Sequence, residues 1–289
     1  LLTFHDYWFI CSISQLIWPN AQVCRSKALG LNCARCVLAN RVHPSLIHLV
    51  RPLAAPLLQV RDALVRRAAL QGDRWIAPSH FLIRQYIEAG LPAERFLYLE
   101  NGIDVERIRR YPHRASGDGR VRFTYLGSLA WQKGVHVLVE AFRGIPAERA
   151  LLRVYGDPPA FPRYSTHLHQ IADPTNTFFA GVVPNEEVGR VLAETDVVVV
   201  PSLWYENSPM VVQEAFAAGL PVVASDVGAL PEKVGSAGWL FPVGNVAALR
   251  QLLQHVAATG ISAGQVAGHA SPKCIAEATE QLIRAYTNV

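Results

Sequence analysis

The C-terminal half of the sequence alternates between strand-like and helix-like segments, and this alternation constrains the fold more than any other feature. Strand patterns cover residues 120–127, 151–156, 177–181, 196–201, 221–225 and 238–241, and helical apolar spacing covers residues 134–142, 167–172, 186–194, 209–218 and 246–255. Strands that alternate with helices form βαβ units around a parallel sheet. The unbroken valine run at positions 197–200 predicts a strand buried on both faces. Ligands of such sheets bind beyond the carboxyl ends of the strands.

The N-terminal half is less regular. It contains an opening strand within residues 1–10, a cysteine-containing loop, a helical stretch at 44–70, a helix at 81–89, and strands at 74–79 and 95–100. Residues 105–119 are rich in Arg, Gly and Pro, which favours a linker. The chain has 289 residues, a length that suits two domains. We therefore predict one domain over residues 1–114 and a second over residues 115–289.

Composition excludes several classes of protein. With 51% hydrophobic and 17% charged residues, the sequence is that of a globular protein. No run of about 18 apolar residues is present, and the opening residues lack the basic region of a signal peptide. Residues 1–119 carry 15 Lys and Arg against 9 Asp and Glu, whereas residues 120–289 carry 12 against 14. The basic half suits a solvated surface or an anionic lipid face, and no nucleic-acid motif accompanies it.

Two glutamates, Glu206 and Glu214, flank a predicted helix start after the valine strand. Ser208 is a typical N-cap and Pro209 a typical first helical residue. The free amides of such a helix start suit a phosphate. Ionised glutamates accept hydrogen bonds from sugar hydroxyls. On spacing alone, two solvated glutamates are the more common arrangement, so other motifs have to decide its meaning.

Those other motifs are present. The E-x7-E pattern of Glu206 and Glu214, followed by residues 215–224, closely resembles the family 4 (group 1) retaining glycosyltransferases. The resemblance continues in order through residues 127–134, 156–157, Gly181, Asp196 and 201–202. This family has the GT-B fold of two facing Rossmann-like domains with parallel sheets. The resemblance therefore implies an α/β GT-B protein whose N-terminal domain is incomplete.

The resemblance also assigns expected roles. Glu206 is expected to hold donor-sugar hydroxyls, Glu214 the ribose hydroxyls, and Lys133 the donor diphosphate, whose developing charge a lysine neutralises. The family usually has Arg after Gly127, where this sequence has Ser128, which departs from the pattern of the diphosphate loop. The donor-binding residues that the resemblance implies are Gly127, Ser128, Lys133, Gly181, Val182, Val183, Glu206, Asn207, Ser208, Pro209, Met210, Val211 and Glu214.

In the N-terminal half, residues 3–6 resemble the family's strand that ends in a histidine at the reacting centre. His5 is therefore expected to be catalytic together with Lys133 and Glu206. The family's early strands and glycine-rich acceptor loop are not found, so we expect the chain to be truncated at its N-terminus and its active site to be incomplete. Residues 101–104 match the segment that leads into the family's interdomain linker.

The implied reaction moves a sugar from a nucleotide-diphosphate sugar to an acceptor hydroxyl with retained anomeric configuration. No carboxylate nucleophile can be assigned, so a front-face displacement is preferred, with catalysis by positioning and charge stabilisation. No Asp-x-Asp motif is present, and no cofactor beyond the donor substrate is expected. The expected setting is surface glycan or glycolipid assembly on a glycan or lipid-linked acceptor, in the cytoplasm or peripherally at the inner membrane face.

Four of the five cysteines fall close together in the sequence, as Cys11, Cys24, Cys33 and Cys36. The C-x2-C pair at 33 and 36, together with the other two, suits a structural four-thiolate zinc site. The overall spacing is not that of a standard zinc finger, so ordinary reduced thiols remain an equal alternative. Disulfides are the least favoured state, since no secretion signal precedes the cysteines.

Three other functions compete with sugar transfer. A GT-B nucleotide-sugar epimerase would share the fold, but the E-x7-E pattern with Ser-Pro-Met favours transfer. A Rossmann oxidoreductase would need a G-x-G-x-x-G turn, which Gly127-Ser128-Leu129 does not supply. A non-catalytic nucleotide-sugar-binding module would bind the donor without turnover.

Overall fold

The chain forms two compact units. A computed structural model describes residues 1–18, 22–24, 27–39, 41–158, 160–261 and 272–287. The first unit contains Leu1–Glu100 together with the end of the chain from Gln281, and the second contains Asn101–Glu280. The strands are β1 (Leu2–Thr3), β2 (Trp75–Ala77), β3 (Phe96–Tyr98), β4 (Val121–Leu126), β5 (Ala150–Tyr155), β6 (Thr177–Gly181), β7 (Val197–Val200), β8 (Val222–Ser225) and β9 (Gly238–Phe241).

Helices follow almost every strand. They are α1 (Leu31–Leu38), α2 (Pro44–Ala69), α3 (His80–Glu88), α4 (Val105–Arg109), α5 (Val135–Phe142), α6 (Pro162–Ile171), α7 (Val188–Ala193), α8 (Met210–Ala217), α9 (Leu230–Val234), α10 (Val246–Thr259) and α11 (Ile275–Thr287). Short 3-10 turns at Trp131–Lys133 and Asn185–Glu187 precede α5 and α7. In the part of the chain that the structure describes, no helix combines the length and the apolar character needed to cross a bilayer.

The second unit is built on a parallel six-stranded sheet with the order β6-β5-β4-β7-β8-β9. All four valines of β7 are buried, and they divide between two cores. Val197 and Val199 pack with α5 and α10, whereas Val198 and Val200 pack with α7 and α8. The strand is therefore covered on both faces, as its unbroken apolar run predicts.

The strand order places a topological switch point in the middle of this sheet. From β4 the chain proceeds outward through β5 and β6, then returns to pair β7 on the other side of β4 and proceeds through β8 and β9. The loops after β4 and β7 therefore leave the sheet side by side and in opposite senses. Open α/β sheets bind their ligands in the crevice that such a divergence creates.

The first unit has a smaller sheet. Its parallel strands have the order β1-β2-β3, and aromatic side chains form its core. Phe4 is buried, and its ring lies 5.8 Å from that of Trp75, 4.5 Å from that of Tyr86 and 5.5 Å from that of Phe96. Large rings fill a core that three short strands could not fill with valines.

Three expectations differ from the structure. The opening strand is limited to Leu2–Thr3, because the chain turns at residues 6–10. The cysteine-containing segment includes helix α1. Residues 105–109 form α4 rather than a linker, because Val105 and Ile108 are buried in the core of the second unit. As a result, the compact units divide after Glu100 and not after residue 114.

Candidate functional site

A buried ion pair joins the loops after β4 and β7 at the switch point. Lys133 Nζ lies 2.8 Å from Glu206 Oε1, and the Glu206 side chain is only 7% exposed. Ser202 Oγ and Trp204 Nε1 donate to the same oxygen, over 2.5 Å and 2.9 Å. Lys133 Nζ also lies 5.1 Å from the centre of the Trp204 ring, a cation–π contact. The three donors all use Oε1 of the carboxylate, so Oε2 accepts from none of them.

Two glycines make this arrangement sterically feasible. Gly134 has a φ of +69°, and a Cβ there would meet the carbonyl oxygen of Pro201 at 1.9 Å. Gly228 has a φ of +65°, and a Cβ there would meet the backbone nitrogen of Glu206 at 2.5 Å. The next residue, Ala229, donates its amide to the Glu206 carbonyl. Backbone from three loops therefore packs around Lys133 and Glu206, at distances that only glycine permits.

Helix α8 begins beside Glu206, one residue later than the sequence predicts. Met210 is its first residue and Pro209 occupies the N-cap position, where it offers no side-chain cap. Ser208, the predicted cap, instead has a buried Oγ without a hydrogen-bond partner in the described part of the chain. The amides at the start of an uncapped helix carry partial positive charge. Asn207 to Val211 therefore lie where an anion would meet both the helix start and a buried hydroxyl.

Glu214 lies in the second turn of α8, and its partner was not predicted from the sequence. Arg107 Nη2 contacts Glu214 Oε1 at 3.0 Å, with both side chains at most 15% exposed. Arg107 Nη1 also donates to Asn185 Oδ1 over 2.7 Å. Arg107 belongs to α4, inside the segment that resembled a linker. The only sequence signal was the Asp104 cap, whose side chain accepts from the amide of Arg107.

The loop after β4 carries Gly127 and Ser128. The hydroxyl of Tyr125 donates to the carbonyl of Ser128 over 2.8 Å, and burial raises the pKa of Tyr125, which keeps the donor protonated. The hydrogen bond fixes the Ser128 backbone at the carboxyl edge of the sheet. At the same edge, Gly181 has a φ of +76°, and Val182, which is 63% exposed, follows it. The structure thus places the predicted diphosphate and nucleobase loops at one edge of one sheet.

His5 lies in the first unit, two residues after the end of β1, and is exposed. Asp6, its neighbour, accepts the amide of Trp8 and, through its carbonyl, the hydroxyl of Tyr86. These bonds fix the turn in which His5 stands. Lys133 and Glu206 belong to the second unit, and the proposed catalytic grouping of the three residues remains a prediction.

The four cysteines singled out from the sequence are free thiols in the first unit. Cys11, Cys24 and Cys33 line one cavity, and Cys11 and Cys33 are buried. Burial and the nearby thiols of Cys24, Cys11 and Cys33 raise the pKa of Cys36 to about 11. Over the described ranges, no three His, Cys, Asp or Glu side chains are arranged to hold a metal ion. The structure therefore groups the thiols without giving them the spacing of a metal site.

Comparison with known families identifies the family that the six-stranded sheet resembles. The model of the family described as "Glycosyl transferases group 1" matches residues 120–259, which include Ser128, Lys133, Glu206 and Glu214. Residues 120–259, the group 1 domain, are thus similar to this family over just under half of the chain. The match begins just before β4 and ends with α10, so it contains the whole six-stranded sheet.

Curated relatives include glycosyltransferases, one of them named for colanic acid biosynthesis. The chain is 29% identical over 188 residues to the putative colanic acid biosynthesis glycosyltransferase WcaL of Salmonella typhimurium, covering 62% of this chain and 46% of WcaL. It is 34% identical over 184 residues to a GDP-mannose-dependent alpha-mannosyltransferase of Mycobacterium tuberculosis, covering 60% of this chain and 44% of that protein. The chain thus spans about half the length of the curated relatives that it matches.

Solved structures agree with the group 1 domain in fold. The Anabaena protein Alr3699/HepE, crystallised with UDP and glucose, matches with a TM-score of 0.65 and 22% identity over 75% of this chain and 64% of that one. Sucrose-phosphate synthase from Thermosynechococcus elongatus matches with a TM-score of 0.64 and 22% identity over 79% of this chain and 61% of that one. The predicted α/β fold of GT-B glycosyltransferases, with parallel sheets, is confirmed.

Proposed function

We propose that the chain binds a nucleotide-diphosphate sugar at the carboxyl edge of the six-stranded sheet and transfers the sugar, with retention, to an acceptor hydroxyl. The observation that carries this proposal is the convergence of Lys133, Ser202 and Trp204 on one oxygen of Glu206 at the switch point. A carboxylate held in this way accepts hydrogen bonds from hydroxyls in a fixed direction. A lysine beside it supplies the charge that a diphosphate needs.

Each of the other site residues has a place in this proposal. The amides of Met210 and Val211 and the hydroxyl of Ser208 would contact the diphosphate, as would the backbone of Gly127 and Ser128. Glu214 would accept the ribose hydroxyls, and the loop of Gly181, Val182 and Val183 would border the nucleobase. These roles agree with the resemblance to family 4 and with the carboxyl-edge position of every one of these residues.

The proposed mechanism is a front-face displacement. Lys133 would neutralise the charge that develops on the departing nucleoside diphosphate, and a leaving phosphate oxygen would take the acceptor proton. Glu206 is proposed to hold the sugar hydroxyls through Oε2, while its Oε1 accepts three hydrogen bonds. His5 is proposed to contact the donor sugar near the reacting carbon. Catalysis would depend on positioning and charge stabilisation, without a covalent intermediate or a metal ion.

The test is a thermal shift of the full chain with UDP, GDP, ADP or NAD. A ligand at about 100 times its dissociation constant stabilises the folded state by about 2.7 kcal/mol. We expect one nucleoside diphosphate to raise the melting temperature, Glu214→Ala to abolish that shift, and NAD to have no effect. Glu148→Ala, at an exposed glutamate before β5, is the matched control and should keep the full shift.

Turnover then separates sugar transfer from its competitors. With the matching nucleotide sugar and a polysaccharide or lipid-linked acceptor, transfer releases the nucleoside diphosphate and forms a glycoside of the donor's anomeric configuration, which NMR detects. An epimerised nucleotide sugar without a glycoside would favour the epimerase. Binding without any turnover would favour either the non-catalytic module or a chain that supplies only part of the active site. A folded chain that binds no nucleoside diphosphate would contradict the whole proposal.

We also propose that α2 contacts an anionic membrane surface, which would place a lipid-linked acceptor near the enzyme at the cytoplasmic face. One side of α2 exposes a stripe of large apolar side chains, each 48–75% exposed: Leu46, Leu49, Leu53, Leu57, Val60 and Leu64. The helix also carries Arg51 and Arg67, and its Asp62 is already paired with Lys27. A helix with one apolar side and basic residues suits a lipid interface.

Vesicle cosedimentation tests the membrane proposal. We expect binding to vesicles that contain phosphatidylglycerol, weaker binding to neutral phosphatidylcholine vesicles, and loss of binding in Leu53→Gln/Leu57→Gln. Arg67 is a more suitable position for a charge reversal than Arg66. The Arg66 side chain donates to the carbonyls of Ala89 and Gly90, so its replacement would disturb the end of α3. Equal binding by all variants would contradict the proposal.

Finally, we propose a structural zinc ion on Cys11, Cys24, Cys33 and Cys36. The proposal is supported by the cavity that Cys11, Cys24 and Cys33 line and by the C-x2-C spacing within α1, and it requires the four thiols to move closer together on binding, because their spacing in the structure is not that of a metal site. Metal analysis of the purified chain should find one zinc per chain, and Cys33→Ser should lose it while Cys274→Ser keeps it. Metal-free protein with reactive thiols would instead favour ordinary reduced cysteines.

A further inference from the structure

Arg107, on helix α4, contacts two residues that belong to or adjoin the proposed nucleotide site. Its guanidinium donates to Glu214 on α8 over 3.0 Å and to Asn185 over 2.7 Å. Asn185 follows directly after the loop proposed to border the nucleobase. One side chain therefore connects the carboxylate proposed for the ribose to the segment beside the base.

The backbone that carries Arg107 is held tightly. Val105 and Ile108 on either side of it are buried in the apolar core that α7 and α8 share. The carbonyl of Arg107 packs against Gly189 of α7, where a Cβ would meet it at 2.9 Å. The guanidinium thus starts from a fixed backbone, and its planar fork has little freedom once both partners are bound.

Glu214 needs such a partner. The residue is 9% exposed, and a carboxylate that is taken out of water without a counter-charge is strongly disfavoured. Arg107 occupies Oε1 only, in a single hydrogen bond, so the carboxylate can still accept from a ligand through its second oxygen. A lysine could supply the charge, but it could not form the planar fork toward both Glu214 and Asn185.

We propose that Arg107 is a positioning residue for the nucleotide: it fixes the Glu214 carboxylate, and through Asn185 the base-side segment, in the arrangement that receives the ribose. This inference rests on the proposed role of Glu214. Arg107 itself is not expected to touch the sugar or the diphosphate, so its effect should depend on the ribose hydroxyls.

Calorimetry tests the inference with the nucleoside diphosphate that the wild-type chain binds and with its 2′,3′-dideoxy counterpart. Arg107→Gln should weaken the ribonucleotide about tenfold or more, since hydrogen bonds to charged groups carry that much. The dideoxy nucleotide should lose less than about threefold. Arg107→Lys should restore only part of the ribonucleotide affinity, and Arg109→Gln, at an exposed arginine on the same helix, should leave both affinities unchanged.

A double-mutant cycle completes the test. If Arg107 acts through Glu214, Arg107→Gln should cost little once Glu214→Gln has been introduced. Equal weakening of both nucleotides, or full additivity in the cycle, would overturn the inference. If Arg107→Gln does not fold, Asn185→Ala and Arg107→Lys provide the same comparison. A wild-type chain that binds no nucleoside diphosphate would instead refute the proposed function, which keeps the two failures distinct.

Discussion

The two units of this chain bury their apolar residues in opposite ways. In the second unit, both faces of the six-stranded sheet are covered, and the valines of β7 are buried in two apolar cores. In the first unit, a three-stranded sheet holds an aromatic core while the longest helix, α2, leaves a row of leucines exposed. The candidate site of the second unit therefore lies at one sheet edge, whereas the first unit offers an apolar surface.

This difference separates two kinds of function. A sheet that is covered on both faces can admit a ligand only at its strand ends, where loops replace packed side chains. An exposed apolar row of this size is typical of an interaction surface. If this comparison holds, substitutions at packed positions of the second unit should be costly, whereas substitutions on the exposed side of α2 should have little effect on stability.

The largest expected effect is at Gly134. Gly134→Ala would place a Cβ 1.9 Å from the Pro201 carbonyl and should lower the free energy of unfolding by about 4 kcal/mol or more. Gly119→Ala is the control, because its φ of +74° is nearly the same but nothing lies within 4 Å. That control should cost only about 1–2 kcal/mol. Urea denaturation measures both, and equal losses would show that the close loop packing is not rigid.

Replacing the lysine of the site should affect turnover next. Lys133→Met removes the cation beside Glu206, and we expect kcat/KM for sugar transfer to fall about 10²–10³-fold, as when one preorganised charge-stabilising donor is lost. Arg163→Met, at an exposed cation on α6, should leave turnover unchanged. Steady-state kinetics at fixed acceptor provides the measurement. A loss below threefold in Lys133→Met would contradict the proposed role.

The opposite end of the same two strands is expected to serve stability alone. Asp196 accepts from the Arg122 guanidinium at 2.7 Å, and the Asp196 side chain is 12% exposed. Burial would raise the pKa of Asp196, but hydrogen bonds from Arg122 outweigh burial and hold it below its usual range. Asp196→Asn should therefore cost about 3 kcal/mol at pH 7.

The pH dependence of that loss follows from the direction in which the Asp196 pKa is shifted. Because the carboxyl pKa is lower in the folded than in the unfolded chain, the pair stabilises fully above about pH 4 and less as the pH falls through the folded value. The difference between wild type and Asp196→Asn should shrink below pH 4 in urea titrations. Glu148→Gln should show no such trend, and a difference that stays constant with pH would exclude the ionised pair as its cause.

The smallest effect is expected on α2. Leu53→Gln/Leu57→Gln should change the free energy of unfolding by less than about 0.5 kcal/mol, since both side chains are more than 70% exposed and Gln favours helices. The fully buried Leu138 is the contrast, and Leu138→Ala should cost about 2–5 kcal/mol. A large loss in the α2 variant would mean that the leucine row supports folding rather than an interaction.

Local pattern predicted the second unit well. The strands from β4 to β9 and the helices α5, α8 and α10 begin and end close to where periodicity placed them, because each has one clear apolar period. The pattern was less informative where tertiary contacts decide. Residues 105–109 look polar and basic, yet Val105 and Ile108 are enough to anchor α4 in the core. Ser208 is a good cap by residue type, but the helix begins one residue later.

The sequence by itself determined the parallel sheet, its buried central strand and the positions of Lys133, Glu206 and Glu214 in the segments that follow β4 and β7, since each follows from spacing along one segment. Only the tertiary structure decided which groups meet. Lys133 and Glu206 are separated by most of the sheet's sequence, and their 2.8 Å contact depends on the pairing of β4 with β7. Arg107 reaches Glu214 because the buried side chains of Val105 and Ile108 pack α4 against α7 and α8. Both contacts join residues that are far apart in the sequence, so no local sequence pattern predicts them.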